Sequence, residues 1–287
     1  MSSSISIGRY VPYNSFVHKL DPRYKLFAMI LLMVAVFLKF ETLWMNFIIY
    51  GVLLLIVLIT MFVGHIKLSA LFKQLRAMWF MIFFLLIINV IVPGEDTLGH
   101  FTLFGGWNIY YMSLVNTAYI AVRLIIMVAL SLILTSTTTP LELTGALEWY
   151  MTPLKYIKFP VHEIAMTISL ALRFIPTLLD ETYRIMKAQA SRGVDFENGK
   201  FKEKVKAIIS LIIPLFISAF QRSEDLANAM EARGYDPRAK RTRYRINKWH
   251  VRDTLSLFFS LAFLTGLILL MVYHVDFISL IQTWIGA

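Results

Sequence analysis

The sequence predicts an all-α polytopic membrane protein of about five transmembrane helices, with a cytoplasmic domain of amphipathic helices inserted before the last span. Three observations carry this. Of 287 residues, 58% are hydrophobic and only 16% charged, where a globular chain runs at about 45–50% and roughly 25%. With a mean hydropathy of +0.66, the apolar excess must face something other than water. Several uncharged runs are long enough to cross a bilayer. Finally, 28 Lys and Arg against 18 Asp and Glu, a net charge of +10, fall almost wholly on one side of those runs. The absence of cysteine removes disulfides, thiolate chemistry and Cys-ligated metals.

The elements follow in order. Met1 to Tyr24 lacks the apolar core of a signal peptide and ends in the polar stretch His18-Lys19-Leu20-Asp21-Pro22-Arg23, so it is expected to remain attached as a cytoplasmic lead-in. Leu26 to Leu38 is an uncharged run of thirteen. Lys25 and Lys39 at its ends are placed to snorkel and stretch it into a span over about 25–40. Thr42 to Gly64 gives twenty-three residues and Ala77 to Gly94 eighteen; about Tyr110 to Thr135 gives twenty-six with one charge, Arg123, in the middle. Thr254 to Tyr273 supplies twenty more. The last four can each cross roughly 30 Å of hydrocarbon. Trp44, Trp79, Trp107, Tyr110 and Tyr111 stand near span ends, where amphipathic rings favour the headgroup layer. The expected organisation is a membrane domain over 1–139, a cytoplasmic domain over 140–252, and a last helix with its tail over 253–287.

Two further apolar stretches, 161–179 and 207–221, are short or interrupted, and charge placement bears on them. If both crossed, the loop between them would carry Arg184, Lys187, Arg192, Lys200, Lys202, Lys204 and Lys206 outside, against the positive-inside tendency. With five spans instead, 26 cations lie inside, Lys39 alone lies outside and Arg123 lies within a span. The expected location is therefore the cell membrane, with the N-terminus and the 140–252 block cytoplasmic.

Within that block one pattern occurs twice. Ser191-Arg192-Gly193-Val194-Asp195 is echoed by Ala232-Arg233-Gly234-Tyr235-Asp236, forty-one residues on. Each copy closes a helix-favouring stretch. Before the first, Leu178, Leu179, Thr182, Ile185, Met186 and Gln189 fall on one side and Asp180, Glu181, Arg184 and Lys187 on the other, which is helical periodicity. Before the second, Ala219, Phe220, Leu226, Ala227 and Met230 oppose Arg222, Glu224, Asp225 and Glu231. Pro176 and Pro214 lie upstream and are expected to break each arm into a membrane-proximal part and an amphipathic part.

A single Arg-Gly is an ordinary helix stop: Arg complements the dipole and Gly takes the left-handed turn. Two copies on arms of matching design go beyond what capping requires. A guanidinium on a rigid arm suits a carboxylate-lined pocket, where its fork bonds bidentately. Capping and paired docking both stand on the residues alone.

At these residues the chain resembles the transmembrane (T) component of energy-coupling factor transporters, a branch of ABC-type vitamin and metal importers with two Ala-Arg-Gly motifs at the tips of cytoplasmic coupling helices. Ala232-Arg233-Gly234 matches the second motif; Ser191-Arg192-Gly193 departs from the first at its small residue. His18 to Lys25, Leu172-Arg173-Phe174-Ile175-Pro176 and Trp249-His250-Val251-Arg252-Asp253 are also similar to family stretches. The resemblance implies a non-catalytic scaffold in which Arg192 and Arg233 each enter a groove on one of two ATPase subunits. It further implies that a separate membrane-embedded substrate-binding S component is held and moved, for vitamin or micronutrient uptake. ATP and Mg would then be bound by the partner ATPases, and no cofactor by this chain. Pro176 and Pro214 become candidate pivots.

Other function classes find little support. The motifs of metal hydrolysis, serine hydrolysis and nucleotide binding are absent, and His162-Glu163 has no partner at helical spacing for a metal site. A stand-alone channel or secondary transporter would lean on Arg123, since an intramembrane charge is a functional-site hypothesis by default. An aqueous crevice or a contact with Asn89 or Asn116 could hold it, and no intramembrane carboxylate accompanies it. The basic run Arg238, Lys240, Arg241, Arg243, Arg245 and Lys248 directly precedes a span, so anionic lipid is the expected partner rather than nucleic acid.

Overall fold

The structure, a computed structural model, describes residues 13, 15–40, 42–91, 100–103, 107–196, 198, 200–236, 239 and 250–273. The cations of the basic run 238–248, Trp249 and the side chains of Trp44 and Trp107 lie outside what it describes. The elements run α1 (Pro22–Phe37), α2 (Leu43–Val63), α3 (Leu68–Ile91), β1 (His100–Leu103), β2 (Trp107–Tyr110), α4 (Tyr111–Thr137), α5 (Pro140–Met151), a 3₁₀ turn (Thr152–Ile157), α6 (Val161–Ser191), α7 (Phe201–Ala232) and α8 (Val251–Val272). The class is all-α. Among the described residues the β structure is a small antiparallel hairpin in the α3–α4 connection, with His100 opposite Tyr110 and Leu103 opposite Trp107.

Contacts divide the chain into two units. In the first, 8–139 with 247–287, α4 packs against α1, α2 and α3, and α1 packs against α8. The core holds Val36, Leu53, Met61, Ile126 and Leu132, each almost wholly buried. Outside it, Leu55, Ile59 and Phe62 on α2, Trp79, Phe80 and Phe84 on α3, and Phe258 and Phe259 on α8 are exposed. Such faces suit lipid, which solvates apolar side chains that water would not. In the second unit, 140–246, α5 packs on α6 and α6 on α7.

Five described helices are long and apolar enough to cross a membrane: Met45–Val63 within α2, then α3, α4, α6 and α8. The number agrees with expectation, but the membership differs. α1 has 16 residues, about 24 Å of rise, which is short of a full crossing. α6 enters because its apolar first half joins the amphipathic stretch without a break.

Lys25 departs from expectation. Instead of snorkelling outward it is buried, and its Nζ donates to the carbonyls of Thr137 at 3.0 Å and His18 at 3.2 Å. It therefore ties the start of α1 to the end of α4. Asp21 caps α1 by accepting from the Arg23 amide at 3.0 Å, with Pro22 following in the first turn, where a missing N–H costs nothing.

Candidate functional site

The two long helices run through their prolines. α6 is continuous for 31 residues with Pro176 inside, and α7 for 32 with Pro214 inside, so neither arm is broken in two as expected. A proline leaves the carbonyl four residues earlier without its helical donor. For Pro214 that is Ser210, and the side-chain amide of Gln189 on α6 reaches its oxygen at 3.4 Å. The neighbouring helix replaces the missing bond.

On α6 the periodicity read from the sequence maps onto the packing, whereas on α7 it does so only in part, since Phe220 and Ala227 are exposed and Arg222 is partly buried. On α6, Leu178, Leu179, Thr182, Ile185, Met186 and Gln189 are all partly buried, while Asp180, Arg184 and Lys187 are exposed. Glu181 is the exception on the polar side: its carboxylate pairs with Arg222 of α7 and accepts from the Ser218 hydroxyl at 3.2 Å.

Both helices end in the same way. Gly193 and Gly234 lie at φ +85° and +72°, the left-handed region that glycine occupies without penalty. Nothing crowds either position, so backbone conformation alone asks for glycine there. The Gly193 amide donates to Ala190 and the Val194 amide to Gln189, at 2.9 and 3.1 Å; Gly234 donates to Glu231 and Tyr235 to Met230, at 2.9 and 3.0 Å. These paired bonds are the Schellman closure, which satisfies two of the orphan carbonyls at each end. Arg192 and Arg233 are left as the final residues before the reversal, with backbone angles that agree within 1°. Both are exposed. Neither guanidinium has a bonding partner among the described residues. Capping is therefore satisfied by backbone atoms, and both charges remain available.

The order of contacts shows how the tips are disposed. Gln189 of α6 meets Ser210, Glu181 meets Ser218 and Arg222, and Met166 receives the Tyr235 hydroxyl at 3.2 Å. As numbers fall on α6 they rise on α7, so the helices are antiparallel and their C-terminal tips stand at opposite ends. Arg192 is 26 residues from Met166, which separates the tips by roughly 40 Å along the axis. A single small pocket could not take both.

Arg123, partly buried, is held by partners other than Asn89 or Asn116. Its Nε and Nη2 donate to the Tyr50 hydroxyl at 3.2 and 3.0 Å, and its guanidinium lies over the rings of Phe37 and Tyr119, 5.4 and 5.2 Å from their centroids. Tyr50 in turn donates to the Val36 carbonyl at 2.6 Å. The Tyr119 hydroxyl donates to Asn46 Oδ1 at 3.2 Å. Asn46 is buried and bonds Phe40 and Thr42 backbone groups. An aromatic face attracts a cation electrostatically, so these rings and the Tyr50 hydroxyl stabilise the charge where it stands. Asn89 and Asn116, the partners considered from sequence, are not the ones used.

A second buried cluster joins α1 to α8. The Asp253 carboxylate, 1% exposed, accepts from the Asp21 amide at 2.9 Å and the His250 amide at 3.1 Å. No group of three or more His, Cys, Asp or Glu able to hold a metal occurs among the described residues.

The profile of the cobalt transport protein family, CbiQ, matches residues 13–244. Similar full-length relatives are the energy-coupling factor transporter transmembrane proteins EcfT of Macrococcus caseolyticus, 43% identical over 90% of this chain and 94% of the relative, and of Bacillus subtilis, 41% identical over 93% and 98%. The EcfT of Staphylococcus aureus is 42% identical over 90% and 93%. The chain belongs to this family. As the transmembrane component of an energy-coupling factor transporter, it is a transport subunit with multiple membrane helices.

Two stretches through which the sequence resembled the CbiQ/EcfT family turn out to be neighbours. His18 to Lys25 and His250 to Asp253 meet at the Asp21–Asp253 contact, 232 residues apart in sequence. Their spacing gave no hint of this pairing. Gln189 was also legible only as a facing residue; the signal that could have found its role is its antiparallel match to the position four before Pro214.

Proposed function

We propose that this EcfT-family chain is the scaffold of an ABC-type importer that docks two ATPase subunits through the tips of α6 and α7. Ser191-Arg192-Gly193 occupies one ATPase and Ala232-Arg233-Gly234 the other. The observation that carries this reading is the pair of matching Schellman ends whose guanidiniums, without a partner among the described residues, lie roughly 40 Å apart along the axis. ATP and Mg are bound and turned over by the partners, and this chain does no catalysis of its own. Motion of the tips passes along the arms, with Pro176 and Pro214 as pivots, to a membrane-embedded substrate-binding S component that takes up a vitamin or other micronutrient.

The test is to co-express tagged chain carrying Arg192→Glu and Arg233→Glu with its ATPases and its small membrane partner. Each lost charge contact costs about 2–5 kcal/mol, and reversal adds repulsion, so the double variant is expected to insert normally and recover no ATPase. Undiminished ATPase recovery would overturn the docking. If the unaltered chain purifies alone from the same membranes, a stand-alone channel or secondary transporter becomes the better reading.

We infer also that α1 rather than α6 completes the five spans, since α6 carries Arg173, Asp180, Glu181, Arg184 and Lys187. The N-terminus and the unit 140–246 are then cytoplasmic. A cysteine at Asn198, which is exposed, is expected to react only with reagents on the cytoplasmic side. Labelling from outside would place α6 across the membrane.

A further inference from the structure

We propose that the 3₁₀ turn Thr152–Ile157 and the residues up to Pro160 form an interfacial anchor that sinks its apolar side chains into the headgroup layer of an anionic bilayer. Every residue from Thr152 to Pro160 is exposed. Among them Tyr156 is 94% and Ile157 81% accessible, and Leu154 and Phe159 are exposed as well. Tyr156 and Ile157, open to this degree, add little to the packing of the unit that carries them.

The turn is nonetheless held in shape. The Lys158 amide donates to Lys155 at 3.0 Å, the Phe159 amide to Leu154 at 3.3 Å and the Val161 amide to Phe159 at 2.8 Å. Lys158 lies at φ +61°, a left-handed conformation uncommon outside glycine. Pro153 and Pro160 restrict the backbone on either side. The segment thus presents Tyr156 and Ile157 outward by construction.

Its charge selects the occupant. Lys155 and Lys158 flank the two exposed side chains, and the segment Thr152–Pro160 has no carboxylate. The nearest acids in sequence are Glu148, which pairs with His162 at 3.4 Å, and Glu163. Lysine is depleted at the cores of protein interfaces. Lysine interleaved with Tyr, Ile and Phe is instead the composition of surfaces that lie at the lipid boundary, the ammonium meeting phosphate and the rings meeting the acyl edge. The chain brings a bilayer within reach, since only the fourteen residues 138–151 separate the turn from α4. This inference rests on the membrane fold and is independent of the Arg tips.

Because the chain has no cysteine, a single one can be introduced without background. The full chain carrying Ile157→Cys, or separately Tyr156→Cys, is labelled with an environment-sensitive fluorophore. It is reconstituted alone in nanodiscs of phosphatidylcholine with or without phosphatidylglycerol, and an Asn198→Cys label serves as the aqueous control. The expected result is blue-shifted emission and protection from iodide at the turn but not at 198, stronger with the anionic lipid. Lys155→Gln and Lys158→Gln should each weaken the anionic-lipid dependence about fivefold at low salt. Full quenching at both turn positions in either lipid would overturn the anchor. So would protection that arises only when the ATPases or the small membrane subunit are added, which would assign the turn to a protein contact.

Discussion

The helices packed around α4 are richer in apolar side chains than the pair α6–α7, and only the first unit closes on itself. Around α4, buried residues from α1, α2, α3 and α8 form one continuous core, and the buried Lys25 ammonium and Tyr50 hydroxyl beside it bond to backbone carbonyls. On the arms the buried positions are few: Val161 and Ala165 on α6, and Ala207 on α7. Ile208, Ile212, Ile213, Phe216 and Phe220 of α7 stay open. The first unit supports its own shape. The second has the length and periodicity of stable helices but little interior, so its stability has to be shared with whatever covers it.

That contrast can be broken where polar groups are buried. Asp253→Ala removes an acceptor that serves the Asp21 and His250 amides at once and is expected to cost about 3 kcal/mol. Unfolding of the detergent-solubilised chain should shift accordingly, and an unchanged midpoint would show that α1 and α8 are held by apolar packing alone. Next in size is Tyr50→Phe, which strips Arg123 of its hydrogen-bond acceptor and leaves the Val36 carbonyl unserved. A loss of about 2 kcal/mol is expected in the same measurement. The smallest effect belongs to the arms. Glu181→Gln weakens a pair that water still reaches, with 22% and 35% of the two side chains accessible, so less than about 1 kcal/mol should be lost. Limited proteolysis of α6 and α7 should report it while the α4 unit stays unchanged.

The same contrast governs what could be read in advance. Spans came from uncharged length, a property each segment has by itself, and the helix ends came from Arg-Gly pairs whose closure uses only atoms within six residues. α1 and α6 changed places as candidates because a sixteen-residue run and a long run ending in charges are both marginal by composition. Arg123 stood out as a charge, but its cage of Phe37, Tyr50 and Tyr119 depends on how three helices meet. Lys25 was misread for the same reason: its carbonyl partners lie on the chain at His18 and Thr137, and the latter is 112 residues away. The prolines were expected to break their helices, and at Pro214 Gln189 supplies a donor to the freed carbonyl, which sequence periodicity does not reveal.

The arms also carry a hidden symmetry. Arg192 and Arg233 are forty-one residues apart, and so are Glu181 and Arg222, which touch. In an antiparallel pair, equal offsets mean that a half-turn about the Glu181–Arg222 contact carries one tip onto the other. Identical side chains at that axis would face their own charge; opposite ones attract, which is what the axis holds. What breaks the equivalence at the ends is Ala190 against Glu231, Ser191 against Ala232 and Val194 against Tyr235, so any partner that tells the two ends apart near the motif has those differences to read.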